Sequence, residues 1–101
     1  MMEIILDPRL RGFTKKLSEN EQGEILKTID LFRNYGFRLP SKYLKKLESN
    51  LWELRPGKIR LLFGKLGRIN SIVVVVGFKK KTQKTPKQEI KIAILRIKEY
   101  L

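Results

Sequence analysis

The chain has 101 residues, 23 of them Lys or Arg against 10 Asp or Glu, for a net charge of +13, and it contains neither Cys nor His. That length fits one domain with a modest buried core. Without Cys or His there is no disulfide, no thiolate chemistry, no zinc site and no Ser-His-Asp triad. No apolar run approaches the roughly 18 residues of a membrane span. The N-terminal Met-Met-Glu-Ile-Ile-Leu-Asp has an early acid and does not read as a signal peptide, so a soluble, cytoplasmic protein is expected.

In chain order, Met2–Leu6 is a short apolar run and predicts a first strand. Asp7-Pro8 then starts a turn or helix, since Asp caps and Pro suits the first helical position. Leu10, Phe13 and Leu17 continue it at helical spacing. Ser18-Glu19-Asn20-Glu21 is a capping-box pattern, and the helix it opens places Ile25, Ile29 and Phe32 on one face. Gly36 is a stop signal. Leu39–Leu47 contains Pro40 and the basic cluster Lys42, Lys45 and Lys46, and reads as a loop with a short helical turn.

Three strands are predicted next. Asn50–Arg55 alternates, with Trp52 and Leu54 on one face and Glu53 and Arg55 on the other. Ile59–Gly64 puts Ile59, Leu61 and Phe63 on one face and Arg60 and Leu62 on the other. Ile69–Phe78 is apolar on both faces near its centre, as a covered central strand should be. Pro56-Gly57 and Leu66-Gly67 are taken as the turns. Thr85-Pro86-Lys87-Gln88 then predicts an N-cap and the start of a C-terminal helix, with Ile90, Ala93, Ile94 and Ile97 as its buried stripe. The expected fold class is α+β: a strand and a helical hairpin, an antiparallel three-strand meander, and a last helix.

Charge is unevenly spread. Residues 1–37 carry six basic and six acidic side chains, whereas residues 38–101 carry seventeen and four. A phosphate-binding face produces such an asymmetry, and solubility alone does not need it. With Pro56-Gly57 as the turn, Glu53 faces Arg60 across the hairpin and Arg55 lies on the same face. Two readings stay open: a solvated salt bridge, or a phosphate site in which arginines hold the anion and the carboxylate is a general base. With Leu66-Gly67 as a two-residue turn, Lys79 falls on the order of 20 Å from that point, and only a kink at Gly77 or strong twist brings it near. Lys80, Lys81 and Lys84 sit in the loop after it. Trp52 alternates onto the apolar face with Leu54, which favours a core role over base stacking.

The segments LWELRPGKIRLLF (residues 51–63) and VVVGFKKKTQKTPKQEIKIAILRIKEY (residues 74–100) together resemble the phage-derived branch of HigB toxins in the RelE/ParE superfamily. The resemblance covers most of residues 36–101 and is weaker before them. It implies a RelE-like fold and the toxin of a type II toxin–antitoxin pair. The implied activity is ribosome-dependent cleavage of messenger RNA, by attack of a ribose 2′-hydroxyl on the adjacent phosphate, with no metal or other cofactor. The implied partner is a small helix-turn-helix antitoxin of the HigA kind. Arg60 matches the arginine of the central hairpin, Arg55 the Leu-Arg position before it, and Lys79 a basic position two residues after the glycine of the following strand. Leu51 and Glu53 stand where RelE has catalytic lysines, so the implied base is Glu53 and the implied acid Lys80 or Lys81. Catalysis is thus expected at Glu53, Arg55, Arg60 and Lys79. Contacts to RNA and the ribosome are expected at Lys45, Lys46, Lys58, Lys80, Lys81, Lys84 and Lys87. A ParE-like toxin that binds gyrase and cleaves nothing, and a basic RNA-binding module without toxicity, are the alternatives.

Overall fold

The computed structural model describes residues 2–101. Strand β1 (Glu3–Leu6) is followed by a 3-10 turn at Pro8–Leu10, where the Asp7 side chain accepts from the Arg9 amide as an N-cap. A short helix α1 (Arg11–Thr14) leads to the long helix α2 (Glu19–Tyr35). The capping box forms as the sequence predicts: the Glu21 amide donates to Ser18 Oγ at 3.1 Å, and the Ser18 amide donates to Glu21 Oε1 at 2.9 Å. The apolar face of α2 buries Ile25, Ile29 and Phe32.

Four consecutive antiparallel strands follow: β2 (Leu44–Glu48), β3 (Leu51–Leu54), β4 (Ile59–Lys65) and β5 (Ser71–Lys79). Strand β1 pairs parallel with β5, which gives a five-stranded mixed sheet in the order β1-β5-β4-β3-β2. Helix α3 (Lys87–Lys98) ends the ordered elements. The α+β class and the order of elements therefore stand as expected. The exception is β2, which occupies a stretch expected to be a loop.

Strand alternation splits the core in two. Leu54, Ile59, Leu61 and Phe63 face α2, and Phe32 meets Phe63 with ring centroids 5.0 Å apart. Full burial of each such side chain stabilises by roughly 1.5–3 kcal/mol. Trp52 belongs to this layer, between Phe37 at 5.0 Å and Phe63 at 5.9 Å, which is the expected core role. On the other face Leu51, Leu62, Val73 and Val75 pack against Ala93 and Ile97 of α3. Gly64 permits that approach: a Cβ there would lie 2.7 Å from Ile97 Cδ1 and 2.9 Å from the Asn50 carbonyl oxygen.

Both hairpin registers differ from the expected ones. Ile59 N donates to Pro56 O at 2.9 Å, so the tight turn centres on Gly57 and Lys58 and not on Pro56 and Gly57. Glu53 accordingly pairs with Leu62, two positions from the expected Arg60. A shift of two keeps every side chain on its face. The β4–β5 connection spans Leu66–Asn70, and a β-bulge in β5 opposite Leu62 and Phe63 adds one residue; together they place Ile59 opposite Lys79 and Arg60 opposite Phe78. Register, not a kink, therefore brings the end of β5 beside Arg60.

Candidate phosphate-binding site

At the β2 end of the α3 face the sheet stops being apolar. Lys45 on β2 stands opposite Glu53 on β3, and Arg60 on β4 stands opposite Phe78 on β5. Residues directly opposite share a face, so these side chains meet at one corner of the sheet. Glu53 is 1% exposed. Its Oε1 accepts from Arg55 Nε at 3.0 Å, and Arg60 Nε lies 3.8 Å from the same oxygen. Its Oε2 accepts from the Thr85 hydroxyl. One carboxylate thus faces two guanidiniums, and each is held by further bonds. Arg55 Nη1 donates to the Ser41 carbonyl at 3.1 Å, and Arg60 Nη1 donates to the Gly57 and Ile59 carbonyls, both at 2.8 Å. Burial lowers the pKa of Arg60 from its ordinary value, the Glu53 carboxylate opposes this, and the Arg55 charge adds to it. An arginine starts so high that it stays protonated and able to bind an anion.

The segment from Lys80 to Thr85 roofs this corner. The Lys80 amide donates to the Lys58 carbonyl at 2.8 Å, which ties the start of the loop to the β3–β4 turn. Thr85 ties its end to Glu53. Between roof and sheet remains a recess of about 10 Å³ lined by Glu53, Arg60, Phe78 and the loop. That is room for about one water and far too little for a nucleotide. Access to Glu53 therefore requires the loop to move.

The proposed residues separate into two groups. Glu53, Arg55, Arg60, Lys45, Lys80, Lys81 and Lys84 gather at this corner, with Lys58 on the adjoining turn and Lys87 at the start of α3. Among the described residues none of these six lysines is ion-paired. Lys79 and Lys46 lie across the sheet. Lys79 Nζ pairs with Glu21 Oε2 at 3.0 Å on the α2 side, because its register partner Ile59 faces the α2 core. The Glu21 carboxyl is held below its ordinary value by the Ser18 amide first and by Lys79 second. Lys46 lies over the Trp52 ring at 5.2 Å. The structure thus does not bring Lys79 to Glu53, and Lys46 is an aromatic cover on the other face.

Thr85 is the residue that sequence reasoning placed elsewhere. It was expected to cap α3, but Pro86 holds the N-cap position without a side-chain cap bond, and the threonine hydroxyl is given to Glu53. The only signal for this was the lone acid on a cationic face. A second polar cluster also escaped the sequence. The buried Asp7 carboxylate accepts from Arg9 Nε at 2.9 Å and from the Tyr100 hydroxyl at 2.9 Å. Arg9 also reaches Glu99 at 2.8 Å, so the cluster ties the end of α3 to the segment after β1.

The architecture is that of the RelE toxins. A chain of an archaeal RelE–RelB complex from Pyrococcus horikoshii matches with a TM-score of 0.67 at 16% identity, over 82% of this chain and 98% of that one. The isolated Escherichia coli RelE toxin matches with a TM-score of 0.63 at 16% identity, over 90% and 97%. A chain of the YoeB–YefM complex from Staphylococcus aureus matches with a TM-score of 0.58 at 15% identity, over 81% and 99%. At such identities the likeness is one of fold. The sequence itself matches the family described as phage derived protein Gp49-like (DUF891) over residues 13–98, and the chain belongs to that family. No curated protein matches it in sequence.

Proposed function

We propose that this protein is the HigB-like toxin of a type II toxin–antitoxin pair and that it cleaves messenger RNA on the ribosome. One observation carries the reading: a buried carboxylate flanked by two arginines under a lysine-rich loop, on a RelE-like sheet. In this mechanism the ribose 2′-hydroxyl attacks the adjacent phosphate, leaving a 2′,3′-cyclic phosphate and a free 5′-hydroxyl. Arg55 and Arg60 hold the phosphorane, whose charge develops beside their guanidiniums. Lys45, Lys58, Lys84 and Lys87 bind flanking phosphates. Glu53 takes the 2′-hydroxyl proton. Thr85 now occupies the oxygen this needs, so loop 80–85 must lift and release Glu53 Oε2 as RNA enters. Lys80 or Lys81, carried on the same loop, protonates the leaving 5′-oxygen. Lys79 has no part in this scheme, because its ammonium sits on the α2 side.

The partner we assign is a small antitoxin, of the helix-turn-helix HigA kind, with acidic side chains facing the lysine-rich corner. Two of the solved relatives are complexes with antitoxins, RelB and YefM, which supports a protein partner. The deciding experiment is single-turnover cleavage of ribosome-bound message by the Glu53→Gln variant. The expected result is retained ribosome binding with cleavage slower by about tenfold or more. Cleavage at the wild-type rate would leave Glu53 as an ion-pair partner of the arginines and nothing else.

A further inference from the structure

A second recess adjoins the corner on the far side of Phe78. It lies where β5 runs past the end of β1, which pairs with β5 only as far as Val74. Its volume is about 470 Å³, within the roughly 300–1,000 Å³ of small-ligand sites. Phe13, Leu17 and Phe78 supply an apolar and aromatic lining. The Phe13 ring is seated against Gly77, where a Cβ would come within 2.6 Å of it, so the close approach depends on glycine. Lys16 and Lys81 stand at the rim, exposed and, among the described residues, without an ion-pair partner. Glu89, in the first turn of α3, is the one acid in the lining.

Phe78 and Lys81 line both this groove and the recess above Glu53 and Arg60. A strand of RNA with a phosphate at Arg60 therefore has the groove within reach of a neighbouring base. An aromatic floor with cations at the edge is the arrangement that takes an unstacked base and its phosphate. We infer that this groove is a nucleobase subsite, and that Glu89 makes it select guanine over uracil. A carboxylate only accepts hydrogen bonds. Guanine offers it two adjacent donors, N1–H and the N2 amino group. Uracil offers one N–H between two carbonyl oxygens, which a carboxylate repels. The inference rests on the RNA-cleaving reading above and adds to it a position and a preference.

Fluorescence anisotropy of the intact protein tests it, with 5′-labelled, uncleavable 2′-O-methyl hexauridine and the same oligonucleotide carrying one guanosine. The guanosine oligonucleotide should bind about tenfold more tightly, within the range of one bidentate base contact. Glu89→Gln should bring the two within about twofold of each other, and Lys16→Glu should weaken both. Equal, salt-sensitive binding of both by the wild type would overturn the subsite and leave the RNA reading standing. A guanosine preference that survives Glu89→Gln would also overturn it. Absence of binding to either at low salt would overturn the subsite, while the ribosome-dependent reading stands or falls on the Glu53→Gln cleavage test. If Lys16→Glu left both oligonucleotides unaffected but weakened antitoxin binding, the groove would be a docking surface for an acidic protein, and the inference would fall.

Discussion

Replacing Glu53 with glutamine separates the structural role of this side chain from its chemical one. The amide keeps the size, and its oxygen still accepts from Arg55 Nε, now 3.0 Å from the carboxylate. The threonine hydroxyl can rotate and accept from the new amide. What is lost is the charge that offsets Arg55 and Arg60. Breaking a fully buried pair costs about 3–5 kcal/mol. Here the arginine side chains are 24% and 11% exposed, so water recovers part of that loss. A destabilisation of about 1–3 kcal/mol is expected. In urea unfolding this appears as a lower midpoint with an unchanged m-value. The two uncompensated guanidiniums should then bind an anion, so inorganic phosphate should raise the midpoint of the variant more than that of the wild type. A variant as stable as the wild type and equally indifferent to phosphate would refute the claim that the Glu53 carboxylate offsets the charges of Arg55 and Arg60.

Three further outcomes follow from the same geometry. Changing Lys80, Lys81 and Lys84 together to glutamine should make the log–log salt slope of RNA binding shallower by about 2, at roughly 0.7 per single-strand phosphate contact; an unchanged slope would make the loop a solvated surface. The Asp7 carboxyl is held below the ordinary carboxylate range, by the Arg9 side-chain bond first, with burial opposing it. Its contribution is therefore complete above the unfolded value of about 3.9 and is lost as pH falls toward the folded value. Asp7→Asn should flatten stability against pH below about 4, read by circular dichroism in an acid titration. Gly64→Ala pushes a methyl group toward Ile97 and the Asn50 carbonyl. Overpacking of this kind costs about 1–3 kcal/mol, and calorimetry should show Tm lower by roughly 5–15 °C.

Much of the fold was legible because its signals were local. The capping box, the apolar stripe of α2 and the alternation around Trp52 each depend on a few neighbouring residues, and each formed as read. Strand β2 was not legible. Its sequence, Leu-Lys-Lys-Leu-Glu, lacks β-branched residues and follows a proline. It is an edge strand, where lysines discourage pairing with other chains and apolar content is not required. Register was not legible either, since turn chemistry alone did not distinguish Pro56-Gly57 from Gly57-Lys58. The two-residue error preserved the faces, so Glu53, Arg55 and Arg60 were still assembled correctly. Lys79 was misplaced because a one-residue bulge in β5, opposite Leu62 and Phe63, reverses side-chain parity beyond it. Thr85 illustrates a tertiary demand overriding a local one: the buried carboxylate outcompetes the helix N-terminus for its hydroxyl.

Helix α3 is fastened at both ends, by Thr85 to Glu53 and by Tyr100 and Glu99 to Asp7 and Arg9. The fastenings are chemically unlike. The first is a single neutral hydroxyl on a carboxylate that a substrate phosphate would disturb. The second is a network joined to the beginning of the chain. The front attachment is therefore the weaker one, while the middle of α3 stays held by Ala93 and Ile97 against the sheet and by Arg96 Nη1, which donates to the Val75 carbonyl at 2.9 Å. The first-turn amides of α3 should accordingly exchange with solvent in step with the occupancy of the corner, while those of the last turn keep time with global unfolding.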